Sequence, residues 1–363
     1  MVANLSRGLA RMGYGSLVGV FDNGHVKASS VASYMREQQL DVVEIQCKGR
    51  IDWTAVREIR DCIRRHDIGL VHSHGYKADI YAYFATRKMQ CPVVATSHLW
   101  TRRTSALRLY AHLDQLVLRR FNYVIAVSEA IKKETIAAGV AEDRVCVIDN
   151  GIDVTSFRTL VPSLRGEFAR EGMQIVGAVG RLVEQKGFEF LLKSVPGVLE
   201  RFPNTLFVVA GEGSERAKLE ALAAKLKVDA QVRFIGARSD MPNVYASFDM
   251  FVLPSIDEGM PIALMEAMAA ARPIVATRVA AVPKLITDGD TGILVAPRDP
   301  RALTQAICQV LASPMLRERL SRAARKRVQE HFSSEMMAAR YVALYHELRP
   351  TSFRVPESSL CGN

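Results

Sequence analysis

Residues 249–277 read DMFVLPSIDEGMPIALMEAMAAARPIVAT, and the residue types set out strand, loop, helix and strand in that order. Asp249 to Leu253 is a short apolar run closed by Pro254 and Ser255. Pro261 suits a first helical turn, where a missing N–H has no partner to lose. Ile262, Leu264, Met265, Met268 and Ala269 carry the helix, Arg272-Pro273 stops it, and Ile274-Val275-Ala276 begins the next strand. Two carboxylates stand out. Glu258 lies in the loop before the helix and Glu266 inside it, with seven residues between. A helix N-terminus offers free backbone N–H groups and a partial positive charge. The corner Glu258-Gly259-Met260-Pro261 therefore suits an anionic or hydroxyl-rich ligand. Glu266 suits a pair of neighbouring hydroxyls such as those of a ribose. Taken alone, the pair reads more simply as a capping charge and a solvated helix residue.

Working outward, residues 1–152 alternate helix and strand patterns, from a helix over Val2 to Met12 and a strand over Ser16 to Phe21 to a last strand over Arg144 to Ile148. Such alternation predicts a parallel, doubly wound sheet. The same alternation resumes at Gln174 to Gly180, with strands at Thr205 to Ala210 and Gln231 to Ile235 and helices at Gly187 to Arg201 and Glu215 to Leu226. Helices follow over 299–312 and 314–331, and Ser334 to Leu348 is a last one. The expected organisation is an N-terminal domain over 1–153, a linker over 154–172, a second domain over 173–333, a final helix over 334–349 and a disordered tail over 350–363.

A chain of 363 residues suffices for two α/β domains, and 49% hydrophobic with 24% charged residues is a soluble globular composition. No apolar run approaches bilayer length, and the start lacks a signal-peptide layout. Cys47, Cys62, Cys91, Cys146, Cys308 and Cys361 are scattered without a C-x-x-C pair, which argues against a disulfide framework or zinc site and for a reducing cytoplasm. The net charge of +10 admits nucleic acid, anionic membrane or phosphate-rich partners. No nucleic-acid module accompanies it, so a diphosphate ligand with a membrane surface explains it better.

The central stretch resembles the retaining GT-B glycosyltransferases of the large fourth family, through P-S-x-x-E-G-x-P and a second Glu completing E-x7-E. Four further pieces match in order. Gly180-Arg181-Leu182 with Lys186-Gly187 resembles G-R-L-x-x-x-K-G; Val208 to Gly213 resembles V-x-x-G-x-G; Val232 to Gly236 resembles V-x-F-x-G; Thr291 to Val295 resembles T-G-x-L-V. Each is weak alone, but five in order form a strong signal. The resemblance implies two facing Rossmann-like domains with a C-terminal crossover helix, and transfer of a hexose-type sugar from a UDP- or GDP-linked donor with retention. The acceptor would be a glycan or lipid-linked molecule in cell-surface or extracellular polysaccharide synthesis. No dedicated cofactor or metal is implied. Arg181 and Lys186 would meet the departing diphosphate, and Gly180 and Gly187 would let it approach the backbone. Glu258, with Gly259 and Met260, would hold the transferred sugar, Glu266 the ribose, and Arg238 would border the base. Gly211, Pro261 and Ile262 complete the donor-side set. His98 would reach in from the first domain, so that closure assembles the site.

Other residues carry weaker signals. His72-Ser73-His74-Gly75 reads as a polar turn ending a strand rather than a metal site. Residues 100–120 combine an apolar stripe, including Trp100 and Leu116, with Arg102, Arg103, Arg108, Arg119 and Arg120 opposed only by Asp114. Such a helix suits either a solvated domain face or peripheral contact with an anionic inner membrane surface. Val2 to Leu5 looks like the middle of the helix that family members place after a first strand and Gly-rich turn. The strands that flank such a strand should then lack a partner between them. Three rivals remain: a sugar-nucleotide epimerase, a glycosidase using both glutamates, and a non-catalytic homologue.

Overall fold

The computed structural model describes residues 1–22, 26–48, 52–97, 105–168 and 172–348, with backbone alone at 26–30 and 105–109. His98, residues 100–104 and the tail over 350–363 lie outside the described residues. The chain forms two units: Met1–Gly151 with the chain from Ser334, and Ile152–Ser333.

The first unit runs α1 (Val2–Arg11), β1 (Leu17–Asp22), α2 (Val26–Glu37), β2 (Asp41–Gln46), α3 (Trp53–Arg65), β3 (Val71–His74), α4 (Tyr76–Thr86), β4 (Val93–Ser97), α5 (Ser105–Leu118), β5 (Tyr123–Ala126), α6 (Glu129–Ala137) and β6 (Val145–Val147). Helix starts are capped where the sequence places short polar residues. The Ser128 hydroxyl accepts from Ile131 N at 3.3 Å and Asp52 from Thr54 N at 2.8 Å. Strands β3 to β6 form one parallel ladder in chain order. Strands β1 and β2 form another, paired from Leu17 with Asp41 to Asp22 with Gln46. No ladder joins β1 to β3 among the described residues.

The second unit runs α7 (Arg165–Phe168), β7 (Gln174–Val179), α8 (Phe188–Leu199), β8 (Thr205–Ala210), α9 (Arg216–Lys225), β9 (Val232–Gly236), α10 (Met241–Ala246), β10 (Met250–Leu253), α11 (Ile262–Ala269), β11 (Ile274–Thr277), α12 (Val282–Leu285), β12 (Ile293–Val295), α13 (Pro300–Ala312) and α14 (Pro314–His331). Its six parallel strands lie in the order β12-β11-β10-β7-β8-β9. Val176, Ala178, Phe207 and Val209 face Leu191, Leu192 and Val195 of α8 in one core. On the opposite face Gly177 makes room for Phe248: a Cβ there would sit 2.2 Å from its ring. Burial on both faces is why these strands read as continuous apolar runs. The unit's two ends meet, since Ile152 N donates to Phe332 O at 3.0 Å. The sequence reading passed over α7, α10 and α12, which are too short for a helical period to register.

The last helix, α15 (Ser334–Leu348), returns to the first unit and packs on α1. Leu5 and Leu9 of α1 join Met337, Ala338, Tyr341 and Tyr345 of α15 in one core with Val94 and Ile125 of the sheet. A separate cluster holds Ile45, Val56, Ile63, Tyr81 and Ala85.

Two expectations change here. The segment His72 to His74 is the end of strand β3 itself, not a turn. The His72 ring lies 2.7 Å from the Tyr345 hydroxyl through Nδ1 and 2.7 Å from Thr96 Oγ1 through Nε2. In α5, Leu116 of the expected apolar stripe is 43% exposed, while Asp114 is buried. The cause is a second acid: Asp114 is hydrogen-bonded to buried Asp79 of α4, whose carboxyl is pushed well above the usual range by burial and by that neighbour.

The α1–α15 contact is close enough to test. A Cβ at Gly8 would lie 2.7 Å from Ala338 Cβ and 2.8 Å from Ser334 O, whereas one at Gly15 would meet nothing within 4 Å. Gly8→Val should cost about 1–3 kcal/mol by overpacking. Gly15→Ala should stay within about 0.5 kcal/mol. Urea titrations of the two variants check this.

Candidate functional site

In a parallel sheet the loops at the strands' carboxyl ends part where the strand order reverses, and ligands sit there. In the second unit that place is between β7 and β10. The chain leaves β7 for β8 and β9 on one side and returns to β10, β11 and β12 on the other. The loop after β7 carries Gly180, Arg181 and Lys186; the loop after β10 carries Ser255, Glu258, Gly259 and Met260.

The structure brings the two loops together through one charged pair. Lys186 Nζ donates to both oxygens of Glu258, at 2.6 and 2.8 Å. Ser255 Oγ donates to Glu258 Oε1 at 2.6 Å. Thr277 Oγ1 in turn holds the Ser255 carbonyl at 2.6 Å. Glu258 is only 5% exposed, so it is no solvated capping charge. Backbone bonds seal the join: Ile256 N donates to Gln185 O at 2.8 Å, and Gln185 Nε2 to Asp257 O at 3.2 Å.

Glycines allow this approach. Gly187 has φ +64°, and a Cβ on it would lie 2.1 Å from Pro254 O. Gly211 has φ +137°, and its Cβ would lie 2.0 Å from Gly180 O. The expectation that Gly180 and Gly187 both keep the backbone open for a diphosphate is thereby revised: Gly187 is closed against the chain's own backbone. A Cβ on Gly180 would meet only Phe188 and Lys186 side-chain carbons, at 3.5 Å and beyond.

Around this pair the other predicted residues divide. Arg181 is exposed and makes no ion pair among the described residues. Met260 and Pro261 are buried, and Gly259 and Ile262 half-buried. Pro261 stands just outside the helix, with φ −73° and ψ 109°, and α11 begins at Ile262 rather than at the proline. Glu266 is half-buried and belongs to a different contact, accepting from the Tyr245 hydroxyl at 2.9 Å. Burial pushes its carboxyl up to about 7, partly offset by that hydrogen bond. Arg238 is occupied by Asp240, at 2.8 and 3.0 Å, in a fork that holds the Asp240 carboxyl below its usual range. Sequence reasoning missed Tyr245 and Thr277. Each holds a site residue from a neighbouring element, and no spacing along the chain signals that.

Two Rossmann-like parallel units are the GT-B class of fold, and solved structures agree. Anabaena HepE, crystallised with UDP-glucose, superposes with a TM-score of 0.82 at 20% identity, covering 95% of this chain and 94% of that one. Sucrose-phosphate synthase from Thermosynechococcus elongatus gives 0.74 at 19% identity, covering 93% and 100%. Residues 1–156 match the family described as Glycosyltransferase Family 4, and residues 163–327 match Glycosyl transferases group 1. A phosphatidyl-myo-inositol mannosyltransferase of Mycobacterium leprae is 31% identical over 301 residues, 81% of this chain and 77% of that protein. An uncharacterized glycosyltransferase of Methanocaldococcus jannaschii is 34% identical over 231 residues, 61% of this chain and 59% of the relative's own length. The chain belongs to the group 1 glycosyltransferases of family 4.

Glu266 gives the site a pH signature. Its proton is held more tightly in the fold, at about 7, than at the ordinary value of 4.5. The stability contributed by that proton is complete below pH 4.5 and is lost as pH rises through 7. Glu266→Gln, which cannot ionise, should therefore raise Tm at pH 8 by about a few degrees and leave it unchanged near pH 4.5. Paired melts of the two proteins across that range check it.

Proposed function

We propose that the chain transfers a hexose-type sugar from a UDP- or GDP-linked donor to a glycan or lipid-linked acceptor, with retention of configuration and without a metal ion. The observation that carries this reading is the convergence of Arg181, Lys186 and Glu258 at the strand-order reversal. A departing diphosphate gathers negative charge, and preorganised donors aimed at it are worth about 2.7–4 kcal/mol each by analogy with oxyanion holes. In this reading Arg181, exposed and without an ion pair among the described residues, grips phosphate oxygens through its planar fork. Lys186 supplies a point charge already held in place by Glu258. Glu258 keeps acceptor capacity for sugar hydroxyls, and Glu266 takes the ribose. Gly180, Gly211, Gly259, Met260, Pro261 and Ile262 shape the donor cradle, and Arg238 borders the base. Same-face attack, with the donor phosphate taking the acceptor's proton, needs no separate enzymic base. His98 is assigned to the transferred sugar.

The relatives support particular parts. HepE was crystallised with UDP-glucose, which favours a uracil-linked hexose donor. The mycobacterial relative is named for an inositol lipid acceptor, which favours a lipid-linked acceptor and assembly of surface polysaccharide at the inner membrane face. Among the described residues no helix is long and apolar enough to cross a membrane. Peripheral contact would fall to α5 and the arginines after it. Arg120 is exposed there, while Arg119 Nε is tied to Ala138 O at 2.9 Å. The break between β1 and β3 favours one second reading, a protein that binds donor without transferring it.

A thermal-shift panel of UDP, GDP, ADP and their sugars tests the site. A ligand at a hundred times its Kd stabilises by about 2.7 kcal/mol. One nucleotide should raise Tm, and Arg181→Ala should abolish the rise while leaving the ligand-free Tm within the span of about 0.5 kcal/mol usual for surface substitutions. Lys186→Ala should abolish it and also cost about 3 kcal/mol by stranding a buried carboxylate. No shift with any nucleotide would refute donor binding. A shift without sugar transfer to any lipid or glycan acceptor, with EDTA present or absent, would select the second reading. Membrane contact predicts co-sedimentation with anionic vesicles at low salt that is lost at about 0.5 M salt; no sedimentation at low salt would refute it.

A further inference from the structure

Lys186 and Glu258 neutralise one another. The Lys186 ammonium gives Glu258 two of its three hydrogens, at 2.6 and 2.8 Å, and Ser255 Oγ gives the same carboxylate a third bond at 2.6 Å. The side chain of Glu258 is 5% exposed and that of Lys186 19%, so water does little to screen the carboxylate. A phosphate that draws the ammonium to itself leaves Glu258 with Ser255 alone, and a buried carboxylate deprived of its cation is costly. A phosphate that does not draw it off approaches a pair whose charges cancel. The main chain permits the Lys186 side chain to change partner, because the two loops are also joined through backbone. Ile256 N donates to Gln185 O at 2.8 Å, and Gln185 Nε2 to Asp257 O at 3.2 Å. Arg181 is placed differently: it is exposed and makes no ion pair among the described residues.

We propose that the Lys186–Glu258 pair makes the site sense whether a nucleoside diphosphate still carries its sugar. The inference rests on the sugar-transfer reading and adds to it the rule by which donor is told from product. Hydroxyls of a bound sugar donate to Glu258 and take the place of the ammonium, so Lys186 can turn its charge to the phosphates. A nucleoside diphosphate without a sugar brings no such hydroxyls. It engages Lys186 only by stranding Glu258, and otherwise its grip comes from Arg181. Sugar contact and phosphate contact are thereby coupled, and couplings between binding contacts of this kind typically run to about 5–150-fold. The exchange reverses once the sugar has left: Glu258 loses its hydroxyl donors, takes Lys186 back, and the hold on the remaining diphosphate weakens. One ion pair thus favours capture of the intact donor and release of the product.

Titration calorimetry on the whole chain with UDP-glucose, UDP and the cyclohexyl ester of UDP separates these contributions. The ester matches the donor in ring size and in phosphate charge but offers no sugar hydroxyl. UDP-glucose should bind at least about tenfold more tightly than either of the others. Glu258→Gln keeps the side chain's shape and removes its charge. It should bring the three ligands within about fivefold of one another, by strengthening UDP and the ester as well as by weakening UDP-glucose. Ser255→Ala leaves the carboxylate one donor fewer and should widen the preference for UDP-glucose. Where the uracil set does not bind, GDP-glucose, GDP and the cyclohexyl ester of GDP take its place with the same expectations. Equal binding of the ester and the nucleotide sugar would overturn the proposal and leave donor binding standing. So would a tenfold preference that persists in Glu258→Gln, or a preference that narrows in Ser255→Ala. No binding of either set would overturn the donor reading and this inference together.

Discussion

The pair between Lys186 and Glu258 is the constraint on which the C-terminal unit's site depends. It joins the loop after β7 to the loop after β10, across the point where the strand order parts them. Ser255 and Thr277 extend the hold into β11. A buried carboxylate without a cation would be costly, so the pair fixes both loops at once. The glycines beneath it set how closely they approach. Because Gly187 and Gly211 bring main chain against main chain, the spacing of the charged groups is set by backbone, with side chains adding charge to a frame already in place.

The N-terminal unit follows a different logic. Its sheet is two ladders, and its stability leans on the helix pair α1 and α15, whose residues fill one core with β4 and β5. Asn4 adds a side-chain bond to Gly151 O at 3.1 Å, and Gly151 N reaches Met337 Sδ at 3.1 Å. The place where the chain leaves this unit is thus fastened to both of its terminal helices.

Much of this was legible in the amino acids. Strand β8 and helices α14 and α15 fall where the sequence puts them, because Leu206 to Ala210 is uniformly apolar and Pro314 and Ser334 mark helix starts. Other features were hidden for physical reasons. Nothing along the chain shows that Lys186 and Glu258, seventy-two positions apart, bond to each other before any ligand is considered. A helical wheel of α5 cannot show that Asp114 meets Asp79 of the neighbouring helix. Tyr245 sits in a helix of six residues, too short for periodicity to reveal which face is inward.

The discontinuity of the first unit has a consequence for synthesis. Residues 152–333 form an uninterrupted unit whose ends are tied by Ile152 and Phe332, so it can fold as soon as it has emerged. The first unit cannot close its core until α15, made after the whole of the second unit, reaches α1. At roughly 5–20 residues per second, Leu5 and Leu9 wait about twenty seconds to about a minute for Met337 and Tyr341. During that interval the apolar face of α1 stands exposed on the ribosome, which makes the unit that holds α1, rather than the uninterrupted one, the part most dependent on chaperones.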